Sequence, residues 1–294
     1  MGVALSHASA ATRPPASAFA AVVIANVALA FGPWFVRLAD VGPVAAAFWR
    51  ITLAAPLIVA MAAATGGRLR GVTPGVLLTV TLAGIAFAGD LATWHLGIVR
   101  TTLANATLFG NVATLIFPIY GFVVARALPN RAQAVALVLA AAGGALLMGR
   151  SYQADPRHLA GDLLSLVAGI LYATYFIAMA RARAAMAPLP TLALSSLASI
   201  LPLLLFSTLL GERIVPGQWG ALIGLALASQ LLGQGLMIYA LGRLSPLVVG
   251  IALLIQPGVA AAIGWLAYGE RLALPDLAGA LLVAAALVLV RRAS

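Results

Sequence analysis

The chain has 294 residues, 63% of them apolar and only 8% charged, with a formal net charge of +10. So few charges could not cover the surface of a soluble domain of this size, and the absence of cysteine excludes disulfides, thiolate metal sites and cysteine nucleophiles. Every basic residue is an arginine and most flank apolar runs, so the excess charge fits attraction to a membrane face and its anionic headgroups; a nucleic-acid partner is not expected.

Ten apolar runs of membrane-spanning length follow one another. The first, 17–38, trails Arg13 and is Ala-rich like a signal peptide, but its length and the lack of a persuasive cleavage site read as a retained helix, which carries Asn26. The second, 43–65, carries Arg50; the third, 73–97, carries Asp90, Trp94 and His95. The fourth, 101–125, holds Asn111 and Pro118, and the fifth, 131–149, is small and nonpolar around Ala140 to Gly144, suited to close backbone packing at the periphery. After the polar stretch 150–159 come 160–181 with Tyr172 and Tyr175, 189–210 with Pro202, and 217–240 with Gln230 and Gln234. One α-turn apart, those two glutamines are expected on a shared face. The run 246–268 holds Gln256 and Pro257, and 275–291 is again rich in small residues. Prolines at 33, 56, 118, 202 and 257 predict kinks near mid-depth.

Threading the runs alternately with the N-terminus inside gathers ten arginines on the inner edge, from Arg13, Arg68 and Arg70 to Arg291 and Arg292, with no acid. The outer edge receives six arginines together with Asp40, Asp155, Asp162, Glu212, Glu270 and Asp276. That bias puts both termini in the cytoplasm of a multi-pass membrane protein. The expected fold is therefore an all-α membrane protein of about ten transmembrane helices. Sliding the chain by 146 residues brings Pro56 onto Pro202, Leu128-Pro129 onto Leu274-Pro275 and Asn130 onto Asp276. This divides it into a tail (1–16), a first five-helix repeat (17–149), a connecting periplasmic loop (150–159) and a second five-helix repeat (160–294). Five is odd, so the second unit must enter the membrane inverted. Inverted halves are typical of secondary transporters whose substrate site lies between them near the midplane.

Local motifs carry a family resemblance: Ala104 and Pro118 in the fourth run, then Ser245-Pro246, Gln256-Pro257 and Tyr268-Gly269-Glu270-Arg271 in the ninth. With five-plus-five topology, the chain resembles the drug/metabolite transporter superfamily, in particular its EamA-type members, and among these the YddG-type exporters of aromatic amino acids. The resemblance implies export of small organic metabolites by alternating access through a central cavity. The first half departs from the pattern, with Ala125-Arg126 where the second half has Glu270-Arg271. Small multidrug resistance relatives carry a carboxylate in their first helix; here that run offers only Asn26, which speaks against proton-coupled export of lipophilic cations.

Two charges fall inside the membrane. A charge at bilayer depth costs about 2.5–3.5 kcal/mol, so such residues face a cavity or a partner. Counting residues from the outer edge at a helical rise of 1.5 Å puts Arg50 and Asp90 both roughly 10 Å deep. They are expected to form an intramembrane ion pair, serving as a structural bridge or as contacts for the carboxylate or ammonium of a zwitterion. The expected cavity residues are Asn26, Trp94, His95, Asn111, Tyr172, Tyr175, Gln230, Gln234 and Gln256, since exposed to lipid their polar groups would be costly. No metal-ligand spacing, cofactor motif or catalytic constellation is present: Asp90 is a single buried aspartate, and there is no HExxH and no P-loop. The expected partners are a small-molecule substrate and the lipid bilayer, for a monomer with a dimer as the alternative. Exporters of other amino acids or drug-like metabolites are the nearer alternative; a channel or an intramembrane enzyme is the distant one.

Overall fold

Charge-free runs of alanine, leucine and valine leave the backbone no hydrogen-bond partner but itself inside a bilayer. The computed structural model, which describes residues 15–65, 72–101, 106, 109–149, 156–268 and 274–293, is helical accordingly, with no strand among the described residues. Arg13, Arg68, Arg70, Ala104, Arg150, Asp155, Glu270 and Arg271 lie outside them.

The helices are α1 (Ala16–Ala30), α2 (Gly32–Leu38), α3 (Pro43–Ala64), α4 (Pro74–Ile98), α5 (Ala113–Ala125), α6 (Arg131–Gly149), α7 (Leu159–Ala182) and α8 (Pro188–Leu209). They continue as α9 (Gly220–Leu225), a π-helical segment (Ala226–Gln234), α10 (Gly235–Leu241), α11 (Pro246–Leu253), α12 (Ile255–Tyr268) and α13 (Leu274–Ala293). Proline opens α3, α4, α8 and α11, where its missing N–H would have been unpaired anyway. Thr73 and Ser245 cap α4 and α11 by accepting from the N–H groups of Val76 and Val248. Six stretches are long and apolar enough to cross a membrane: Ala16–Leu38, Pro43–Ala64, Pro74–Ile98, Pro156–Ala182, Pro188–Leu209 and Gly220–Leu241. Ala113–Ala125, Arg131–Leu146 and Pro246–Ala260 are shorter apolar helices.

Not every proline interrupts its helix. Pro56, Pro118 and Pro202 sit inside α3, α5 and α8. The chain does break at Phe31 ahead of Pro33 and at Leu254 ahead of Pro257, where a proline ring crowds the carbonyl four residues back. A third break, at Asn111-Val112, precedes Ala113 with no proline beside it. The π-helical segment, which sequence periodicity reads as plain α-helix, also has none.

Helix α4 packs against α7 and α8, α3 against α8 and the π segment, and α1 against the π segment, α10 and α12. Helix α5 lies on α11 and α7, while α6 pairs with α13. Small residues allow the closest contacts: a Cβ added at Gly84 of α4 would come within 2.4 Å of the Ser195 carbonyl oxygen of α8, and one at Gly143 of α6 within 2.8 Å of the Gly279 carbonyl oxygen of α13. Ser199 of α8 donates to the Gly84 carbonyl at 2.7 Å across the first of these seams.

One edge is tied by polar contacts between the α2–α3 turn and the α8–α9 loop. The Glu212 carboxylate accepts from the N–H groups of Val44 and Ala45 at 3.2 and 2.7 Å, Gly42 N–H donates to the Arg213 carbonyl, and Trp49 Nε1 donates to that of Ile214. Asp40 accepts from Gly217 N–H and lies 3.6 Å from the Arg213 guanidinium.

Candidate functional site, a central polar and aromatic cavity

The three helix breaks lie around one cavity. Its walls come from α1 and α2 (Leu29, Ala30, Pro33), α3 (Arg50), α4 (Phe87, Asp90, Leu91, Trp94), the Asn111 break (Gly110, Asn111, Ala113), α7 (Tyr172) and the α11–α12 break (Leu253, Gln256, Ala260). The volume is about 70 Å³, counted as space open to water centres, which is room for several waters. Irregular backbone is tolerated at membrane depth where it lines such a space, because the freed N–H and C=O groups face something other than lipid. Among the described residues, none of α6 or α13 lines this wall.

Aromatic rings form the floor. Tyr172 packs at 4.2 Å on Phe176, Phe87 stacks at 4.5 Å on Tyr175, and Phe117 meets Phe176 edge-on at 5.7 Å. Phe87, Phe117, Tyr175, Phe176 and Met179 are all fully buried. In α7 the floor lies in the half toward Ala182, and the α4 wall residues Phe87 to Trp94 lie in the half toward Ile98.

Of the residues singled out from sequence, Trp94, Asn111, Tyr172, Gln256, Arg50 and Asp90 line the cavity. The others stand behind it. Asn26 donates to the Val22 carbonyl and accepts from Gln256 Nε2 at 2.8 Å, so it orients a wall residue. Gln230 accepts from Arg50 Nε at 3.3 Å and donates to Ser196 Oγ at 3.1 Å, while Gln234 accepts from the Tyr172 hydroxyl at 3.3 Å. The two glutamines thus serve different neighbours, and both stand in the π-helical segment. The Tyr175 hydroxyl approaches Ser195 but lacks hydrogen-bond geometry with any described residue. His95 is outside the cavity: its Nδ1 meets the Pro43 carbonyl at 2.8 Å, which makes Nδ1 the donor and leaves Nε2 an acceptor without a partner among the described residues.

The expected ion pair is replaced by a separated arrangement. Arg50 turns its Nε to Gln230 and places its guanidinium 5.7 Å from the Phe87 ring centroid. The Asp90 side chain, in a residue 7% exposed, has neither a hydrogen bond nor an ion pair among the described residues, although the two groups are near enough to interact. Sequence reasoning named the residues and their common depth; it could not see that Gln230 and Phe87 compete for the arginine. It also missed Phe87, Phe117 and Phe176. A phenylalanine in an apolar run looks like core, and the one available signal was helical spacing, with Phe87 three residues from Asp90 and Phe176 four from Tyr172. Among the described residues no cluster of three or more acidic or histidine side chains could hold a metal ion.

Residues 159–292 match the model of the EamA-like transporter family. The crystal structure of another protein overlays with a TM-score of 0.77 at 16% identity, covering 95% of this chain and 98% of that one, a likeness of fold alone. None of the curated proteins matches. The family match is confined to the second half of the chain, whose described residues share the apolar, membrane-spanning helical architecture of the first half.

Proposed function

We propose that the chain is a secondary transporter that exports small organic metabolites, aromatic amino acids first among them, across a bacterial inner membrane by alternating access. The observation that carries this reading is the cavity itself: helices from both halves of the chain supply a wall with few directional polar groups and aromatic surfaces in Trp94, Phe87 and Tyr172.

The packing pattern supports two inverted repeats. Exchanging each apolar run with the one five places later turns the α4–α7 contact into that of the π segment with α1, and α5–α7 into α12–α1. It leaves the α3–α8, α5–α11 and α6–α13 pairs unchanged. In this reading both termini are cytoplasmic, the cavity opens to the periplasm, the aromatic floor closes the cytoplasmic half, and the carrier works as a monomer in the bilayer. Bending at the breaks would open one half while closing the other.

The test is flux into proteoliposomes of labelled amino acids, purines and quaternary amines. Saturable uptake stimulated by substrate on the opposite side is expected, with phenylalanine and tryptophan competing. Flux that rises linearly without trans-stimulation would identify a channel, and failure of both aromatic amino acids to compete would remove them as substrates.

A further inference from the structure

The cavity wall carries a basic and an acidic side chain that are not paired with each other. Arg50 is fixed from two sides, by the hydrogen bond from Nε to Gln230, itself held by Ser196, and by the face of Phe87. Its terminal nitrogens have no hydrogen-bond partner among the described residues. Asp90 lies on the neighbouring helix, more than nine-tenths buried, on the cavity wall, its side chain without a hydrogen-bond partner among those residues. Separated charges at this depth are costly, and direct pairing would lower that cost. Here the protein spends Gln230, Ser196 and Phe87 on keeping them apart, which leaves a cavity with two poles of opposite sign and an aromatic side.

We propose that Asp90 and Arg50 are the two poles of a zwitterion site, Asp90 receiving an ammonium and Arg50 a carboxylate, with the ligand's side chain against Trp94 and Tyr172. Asp90 can accept from an ammonium in any orientation, whereas the planar guanidinium can grip a carboxylate with two parallel bonds. A ligand carrying only one charge would leave the opposite pole unanswered in a site of low dielectric, so the discrimination comes from the missing partner as much as from the bond formed. This assignment deepens the transporter reading and rests on the same cavity.

The experiment measures binding to purified protein in detergent with labelled phenylalanine and leucine. Competitors are the deaminated analogues 3-phenylpropionate and 4-methylpentanoate and the decarboxylated analogues phenylethylamine and isoamylamine. Each single-charge analogue is expected to bind about ten- to a hundred-fold more weakly than its parent amino acid. Asp90→Asn should erase the preference for phenylalanine over 3-phenylpropionate, and Arg50→Gln the preference over phenylethylamine. Where a variant does not give monodisperse protein, the wild-type analogue series decides alone. The proposal is overturned if neither amino acid binds, if single-charge analogues compete as well as the parents, or if both variants weaken every compound equally. Binding without flux in liposomes would sink the carrier reading and leave the two poles standing; binding of leucine but not phenylalanine would remove only the aromatic preference.

Discussion

Glu212 offers the sharpest test of how the two ends of the chain's halves are joined. Helix α3 begins at Pro43, so the N–H groups of Val44 and Ala45 have no partner within the helix. The Glu212 carboxylate, 168 and 167 residues away in sequence, takes both. Hydrogen bonds to a charged acceptor contribute about 1.5–3 kcal/mol each, which sets a ceiling of roughly 3–6 kcal/mol. The site is only part-buried, so water can replace the carboxylate, and the loss on Glu212→Ala should fall near that of a helix cap plus its dipole interaction, about 1–2 kcal/mol. For a chain of this size that corresponds to a fall of about 3–6 °C in the midpoint of thermal unfolding. Gly42→Ala should cost at least as much, since its Cβ would lie 2.5 Å from the Glu212 Cβ and carboxylate. Fluorescence-detected thermal unfolding in detergent measures both. If Glu212→Ala melts with the wild type while Gly42→Ala is also silent, the two loops do not meet and the reasoning fails.

Gly84→Ala forces a methyl onto the Ser195 carbonyl of α8 and should lose about 1–3 kcal/mol or more, whereas Gly220→Ala, with nothing within 4 Å, should be neutral or slightly stabilising; equal melting points would refute the close α4–α8 seam. A double-mutant cycle on Asn26→Ala and Gln256→Ala should return a coupling of about 0.6–1.7 kcal/mol, and strict additivity would show that the amides never bond. The Gly217 N–H bonded to Asp40, aided by the Gln218 backbone and the Arg213 guanidinium against the opposing effect of burial, holds that carboxyl below the usual carboxylate range. Its stabilising contribution is therefore complete above the ordinary carboxylate pKa and lost as pH falls through the lowered value. Melting curves recorded down an acid series should be flatter for Asp40→Asn than for wild type, and parallel curves would discard the contact.

The sequence by itself determined where the helices run. A long apolar run with few charges, bounded by proline, glycine and arginine, has one low-energy state in a bilayer, so the expected 73–97 became Pro74–Ile98, 160–181 became Leu159–Ala182, and 189–210 became Pro188–Leu209. The polar residues of the interior were legible as types for the same reason, since lipid excludes them from the outer face. Which of them reach the cavity was not, because that depends on how each helix is rotated and where its hydrogen-bond ladder is interrupted. Asn26, Gln230 and Gln234 look identical to Gln256 in an apolar run, yet they bond to the wall from behind while Gln256 forms it. The break at Asn111 and the π turns around Gln230 have no proline to announce them. Arg50 and Asp90 were placed at a common depth by counting residues along two helices; their separation was decided by Gln230 from a segment 180 residues further on, reached only through tertiary packing.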